Sequence, residues 1–171
     1  MSELSTVQQV LLISLEGQIE RLGLLVASLT YDQFDLSADR EAYPGTWTIR
    51  EIIHHLVDDG DTWSMRIKQA LATPGIAVRF SGYPGNEVWA GHLDFEDRDV
   101  GPAINLILAH CNYLIELLTR FSGSWDHGIK IIDVQTGTER TMNILQIVQM
   151  LVEHLDEHMD QIEAIKEFNR I

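Results

Sequence analysis

The sequence predicts an all-α fold, a four-helix bundle with a long connection between helices two and three and a short hairpin before helix four. Three observations predict it. Four stretches carry apolar residues alternately three and four apart, the spacing that lines one face of a helix. Breaks such as Pro74-Gly75 and Ser122-Gly123-Ser124 separate them. The second stretch opens on Thr48 with Glu51 three residues later, a capping box. At 171 residues the chain suits one domain, 1–171, with a core large enough to need neither disulfide nor metal.

Helix one runs from about Thr6 to Leu29, where Val7, Leu11, Leu15, Leu22, Val26 and Leu29 share a face and Glu16, Glu20 and Arg21 serve the other. Residues 30–46 show no period and contain Pro44-Gly45, which marks a connection. Helix two then runs from the Thr48 cap to about Thr73 on the stripe Ile49, Ile53, Leu56, Trp63, Ile67 and Ala70, with His55 and Asp59 on the adjacent stripe. Residues 74–101 are long and irregular, and a connection of that length in a compact domain suits a cover over a site. Helix three is placed from Pro102, taken as the first helical position, to about Phe121, through Ile104, Ile107, Cys111, Leu114 and Leu118. Ile129 to Arg140 alternates loosely around Thr136-Gly137, as a short hairpin does, and helix four begins near Thr141 and continues almost to the last residue. No internal repeat or low-complexity tract interrupts this order.

Twelve basic against twenty-six acidic residues give a formal charge of −14. Such a surface repels phosphate backbones and anionic lipid, so neither nucleic acid nor membrane is an expected partner. The single cysteine, Cys111, excludes an internal disulfide and a multi-cysteine metal site, and it falls on a core stripe. The apolar run Val10–Leu15 is short, has no basic flank and is neither signal peptide nor membrane span, so a cytoplasmic protein is expected.

The chemistry concentrates in helix four. His154 and His158 lie four apart, about 6 Å along the axis and roughly 40° around it. They occupy consecutive positions of the series Ile144, Ile147, Leu151, His154, His158, Gln161 and Ile165, where an apolar side chain would face the bundle interior. Two ionisable rings in such positions need partners, and they cannot both stay charged; a divalent cation resolves both problems. A third ligand must come from another helix, and His55 is the best placed. The resulting metal site of His55, His154 and His158 leaves a coordination position open, as catalytic sites do. His54 competes with His55 but projects about 100° away, onto a face with Arg50, Glu51 and Asp58, and reads as a partly exposed surface residue. Asp59, one turn beyond His55, is a candidate catalytic residue that either orients a ligand imidazole or takes a proton from water; the plain alternative is a solvated acid at the bundle rim.

Two rival metal patterns carry less. His154-Leu155-Asp156-Glu157-His158 matches H-x-x-E-H, but helical projection turns Glu157 toward the polar side. Glu51-Ile52-Ile53-His54 matches the E-x-x-H of di-iron bundles, which require a second copy that the chain lacks. His92, His110 and His127 receive no role, with His110 read as ordinary packing. Trp63 reads as core, whereas Tyr83 and Trp89 in the long connection either close over a substrate or simply pin the loop down.

These stretches resemble the DinB/YfiT-like superfamily of four-helix-bundle metalloenzymes over most of the chain. Trp47-Thr48-Ile49-Arg50-Glu51-Ile52-Ile53-His54-His55-Leu56, preceded by Tyr43-Pro44-Gly45-Thr46, is similar to the family's W-[ST]-x-R-x-[IVL]-x-x-H-L entry into helix two. Arg66-Ile67-Lys68-Gln69-Ala70-Leu71 continues it in the manner of the YfiT branch, and His154, His158, Gln161 and Ile162 match H-x-x-x-H-x-x-Q-I. The resemblance places the three metal ligands on His55, His154 and His158, and implies an up-down-down-up bundle and a homodimer. It implies a divalent cation, zinc or nickel first and iron next, that activates water in a hydrolase or a low-molecular-weight thiol in an S-transferase. The chain departs from many YfiT-type members at Met159, where they carry a further His, and at Ile132-Asp133-Val134, where they carry His-Pro-Glu. The alternative from another class is a non-catalytic bundle that holds a metal or small ligand.

Overall fold

The computed structural model describes residues 3–38, 46–80 and 86–171. Helix α1 (Thr6–Ala27) starts under a capping box in which Gln8 N donates to Ser5 Oγ and Ser5 N donates to the Gln8 side chain. A short 3-10 turn at Tyr31–Asp35 follows. Helix α2 (Ile49–Ala72) opens on the expected box: Thr48 N donates to Glu51 Oε2 at 2.7 Å and Glu51 N to Thr48 Oγ1 at 3.2 Å. Each box satisfies backbone donors that a helix start leaves unpaired. The connection after α2 contains strand β1 (Ala77–Phe80) and a short helix α3 (Glu87–His92). Then come α4 (Val100–Arg120), β2 (Gly128–Asp133), β3 (Glu139–Asn143) and α5 (Ile144–Asn169).

The long helices form one ring. Helix α1 packs chiefly on α5 and α4, and α2 on α4 and α5, so α1 and α2, consecutive in sequence, lie across the bundle from each other. Side chains fix the heights. Gln18 Nε2 donates to Val152 O, Arg21 reaches Asp156, Asp160 and Glu163, and Lys166 Nζ donates to Leu25 O. Between them lies a core of Leu15, Leu22, Ile49, Ile53, Trp63, Leu118 and Ile147, all essentially removed from solvent.

The fold is mostly helical rather than purely so. Strands β1, β2 and β3 make a small sheet, β1 parallel to β2 with Ala77 beside Lys130 and Phe80 beside Asp133, and β2 antiparallel to β3 with Ile129 beside Met142. The hairpin expected around Thr136-Gly137 is present, and Gly137 takes the positive φ of 70° its turn needs. The parallel partner was not anticipated, because it joins residues some fifty positions apart and depends on burying Val78, Phe80, Ile129 and Ile131 against the bundle end. Two boundaries also move. Helix α4 begins at Val100 under an Asp99 cap whose Oδ1 accepts from Gly101 N, so Pro102 is the third helical residue and not the first. Helix α5 begins at Ile144 under a capping box of its own, Asn143 with Gln146, because residues 139–143 belong to β3. Helix α4 is long and apolar enough to cross a membrane by composition; its stripe Ala103, Ile107, Cys111, Leu114 and Leu118 is buried in the bundle, and Asn105, Asn112 and Glu116 are exposed.

Arg50 ties the connections to this frame. Its guanidinium, 1% exposed, donates to Asp35 Oδ1 at 2.6 Å, Arg98 O at 2.8 Å and Tyr31 O at 3.3 Å. Asp35 raises its pKa. Arg50→Ala removes the donors to Asp35, Arg98 O and Tyr31 O, and should lower unfolding free energy by about 2–3 kcal/mol. Arg50→Lys should recover only part of this, since a point charge cannot replace the three-way fork. Urea denaturation with an unchanged m-value checks both; a loss under about 0.5 kcal/mol for Ala, the level of an ordinary surface change, would contradict the anchoring role.

Candidate metal centre

A cluster of imidazole rings lies inside the bundle between α2 and α5. There His55 Nε2 lies 3.2 Å from His154 Nε2, and His158 Nε2 lies 2.9 Å from the same atom. The ligand atoms of the three rings fall within 4.8 Å of one another, the only such His, Cys, Asp or Glu cluster among the described residues. His154 and His158 come from successive turns of α5, and His55 faces them from the second turn of α2.

Hydrogen bonds decide which nitrogens carry protons. His154 Nδ1 donates to Asp59 Oδ2 at 2.8 Å, and His158 Nδ1 to Gln161 Oε1 at 2.8 Å. A neutral imidazole has one N–H, so both Nε2 atoms present lone pairs to each other at 2.9 Å. Two acceptors so close repel unless a cation lies between them. Burial, followed by the neighbouring His154 and His55, pushes the His158 pKa down to about 4, so this ring keeps its lone pair at neutral pH. Imidazole nitrogens about 2.0–2.1 Å from a tetrahedral zinc would lie roughly 3.3 Å apart, close to the two spacings found. The donor set therefore fits a divalent cation.

Trp47, just before the Thr48 cap, flanks the cluster. Its indole meets the His55 ring edge to face at 4.8 Å and lies parallel to His158 at 6.4 Å. A cavity of about 470 Å³ lined by Trp47, Ile52, Glu87, His158, Gln161 and Ile165 opens beside the triad. A second cavity, of about 400 Å³, is also lined by Trp47, together with Glu51 and Phe95. The sequence reading gave Trp47 no part in the site. The signal was its position two turns before His55, at the residue preceding a helix cap.

Other sequence-predicted residues sort clearly. Asp59 is not a solvated rim acid: it is 3% exposed and bonded to His154. Glu157 is exposed, away from the rings, and Glu51 caps α2. His54 is not a surface residue. It is 2% exposed, with Nε2 3.4 Å from Arg98 O and its ring 5.5 Å from Phe95. The reason is the connection after β1, whose residues Phe95 and Arg98 fold over that face of α2. Burial lowers the His54 pKa. Thus the described part of the connection covers His54, and its Glu87 reaches the cavity beside the triad. Trp89, at 41% exposure, does not close over the site, His92 is exposed, and Tyr83 and Tyr43-Pro44-Gly45 lie outside the described residues. His127 is half-buried beside β2. His110 does more than pack: its Nε2 donates to Asp61 Oδ1 at 3.0 Å. Trp63 and Cys111 are core, and burial pushes the Cys111 thiol up to about 11, which makes it a poor nucleophile.

A family model of the DinB superfamily matches residues 14–162, which include all three histidines. The chain belongs to the DinB superfamily. This DinB chain is similar in structure to YfiT from Bacillus subtilis, a probable metal-dependent hydrolase with an unusual four-helix bundle topology. The TM-score is 0.79 at 20% identity, over 98% of this chain and 90% of that one. It is also similar to a mycothiol-dependent maleylpyruvate isomerase, with a TM-score of 0.60 at 12% identity over 94% of this chain and 67% of the other. At these identities the likenesses concern the fold. No functionally curated protein sequence matches the DinB chain.

Near the site, Asp58 carries a buried Oδ2 without a hydrogen-bond partner, and burial raises its pKa from 3.8 to about 6. The folded DinB chain therefore holds this proton more tightly than the unfolded chain does. Stability is lost as pH rises from about 4 to about 6, and the penalty is constant above that. Asp58→Asn should raise unfolding free energy by about 1–2 kcal/mol at pH 7.5 and by little at pH 4. Equal effects at both pH values, measured by urea denaturation, would show that the carboxyl is not perturbed.

Proposed function

We propose that this DinB protein is a metal-dependent enzyme acting on small molecules, with His55, His154 and His158 holding one divalent cation. The observation that carries the reading is the facing pair of Nε2 lone pairs, fixed by the protons that Asp59 and Gln161 hold on the far nitrogens. Zinc, nickel and iron all suit imidazole donors, with zinc or nickel preferred. Such a cation would lower the pKa of water or of a low-molecular-weight thiol, giving a hydrolase or an S-transferase. YfiT's description as a probable metal-dependent hydrolase supports the first, and the thiol dependence of the isomerase the second.

The protein's own residues supply the rest. Substrate enters the 470 Å³ cavity against His158 and the Trp47 face. Gln161 and Asp59 hold the two α5 rings in one tautomer. The bundle acts as one domain in an up-down-down-up arrangement. That arrangement is supported by contacts that advance together along α1 and α5, at Gln18 with Val152 and Lys166 with Leu25, and run in opposite senses along α2 and α5, at Trp47 with His158 and Asp59 with His154.

Elemental mass spectrometry of the purified, untagged protein tests this. Near-stoichiometric zinc, nickel or iron is expected, lost in His55→Ala and His158→Ala but kept in His54→Ala despite its burial. Gln161→Leu should weaken binding by about 10–100-fold. A parent protein that takes up none of these ions on reloading would end the metalloenzyme reading. Bound ion without turnover of ester or of thiol plus electrophile would instead favour the non-catalytic binder.

A further inference from the structure

Behind the triad, a cavity of about 30 Å³ lies at the centre of the bundle, lined from all four long helices and including Leu15, Leu56, Asp59, His110, Leu114 and His154. Two of its lining residues each carry a buried polar atom with no hydrogen-bond partner in the protein, Asp59 Oδ1 and His110 Nδ1. The opposite atom of each group is engaged. Asp59 Oδ2 accepts from His154 Nδ1 at 2.8 Å, and His110 Nε2 donates to Asp61 Oδ1 at 3.0 Å. In the neutral ring the second contact puts the His110 proton on Nε2, which leaves Nδ1 an acceptor. Both orphaned atoms are thus acceptors, and both belong to residues that line one small cavity.

We infer that this cavity is a binding site for one internal water, which donates one hydrogen to Asp59 Oδ1 and the other to His110 Nδ1, and that His110 is thereby a positioning residue for His154. The volume suffices for one such molecule, and two unsatisfied polar atoms are what retains it in an otherwise apolar interior. An unbroken polar line then runs from His154 through Asp59, the water and His110 to Asp61, whose carboxylate is at the surface. Each link presents a donor to an acceptor, so the line has one consistent set of proton positions. Gly60 makes room for it: a Cβ there would come within 2.9 Å of His110 Nδ1. The water itself does not depend on the metal reading; the effect on His154 rests on it.

The test has two readouts. A high-resolution crystal structure of the parent protein should show one ordered water about 3 Å from both atoms, and His110→Leu should lose it. A direct Asp59 to His110 bond, or a dry cavity, would overturn the site. The second readout uses Co²⁺ alone as the probe, with affinity measured by chelator competition and ligand geometry by the visible d–d spectrum. His110→Leu should bind Co²⁺ about tenfold more weakly with a shifted spectrum, whereas His110→Asn, which places an acceptor where Nδ1 stood, should restore both to within about threefold. Should His110→Leu not fold, Gly60→Ala displaces the ring in a helix that favours alanine, and should shift the spectrum in the same way. Identical Co²⁺ affinity and spectra in the parent, His110→Leu and Gly60→Ala proteins would overturn the positioning role. A parent that binds no Co²⁺ would instead refute the proposed function, and the crystallographic water would still decide the site.

Discussion

Three imidazole nitrogens converge where a helical bundle would ordinarily place leucine or isoleucine, and much of the surrounding structure follows from that. Removing such polar groups from water is unfavourable unless each finds a partner. His154 and His158 find theirs at Nδ1, in Asp59 and Gln161, and this leaves their Nε2 atoms aimed at one point with His55. Asp59 must in turn be buried to reach His154, which places a carboxylate among Leu56, Leu151 and Leu155. Trp47 shields the cluster with a surface that needs no polar partner of its own at the point of contact.

Two adjacent histidines on α2 show how environment, not identity, assigns a role. His55 faces α5 and joins the cluster. His54 faces the connection that follows β1, under Phe95 and Arg98, where Arg50 holds the chain by its carbonyl. One histidine is thus offered to a shared centre, while its neighbour is sealed by a segment that the sheet and Arg50 hold in place. The β1–β2 pairing fixes one end of that segment and the Asp99 cap of α4 the other.

Much of this was legible in the sequence because it is local. The 3.6-residue period gives four helices, the Thr48–Glu51 box gives the start of α2, and the i, i+4 spacing of His154 and His158 puts both rings on one stripe. His55 was separable from His54 because it lies beside the apolar stripe. What could not be read locally was set by contacts far apart in sequence. The parallel partner of β1, the burial of His54 and the place of Trp47 beside His158 all require knowing what packs on what. The start of α4 shows a different failure. Pro102 suits a first helical position, but Asp99 offered a side-chain acceptor to the first turn, and the stronger cap set the boundary.

The separation of the cluster's parts also bears on how the protein is made. His55 and His154 are 99 residues apart. At ordinary translation rates of about 5–20 residues per second, the α2 ring leaves the ribosomal active centre roughly 5–20 s before its first partner is added. During that interval α4 is still being made and α5 is incomplete, so the apolar faces of α1 and α2 that pack on α5 lack their cover. Completion of the histidine cluster is therefore a late event in the biogenesis of the fold, and it coincides with the closing of the core.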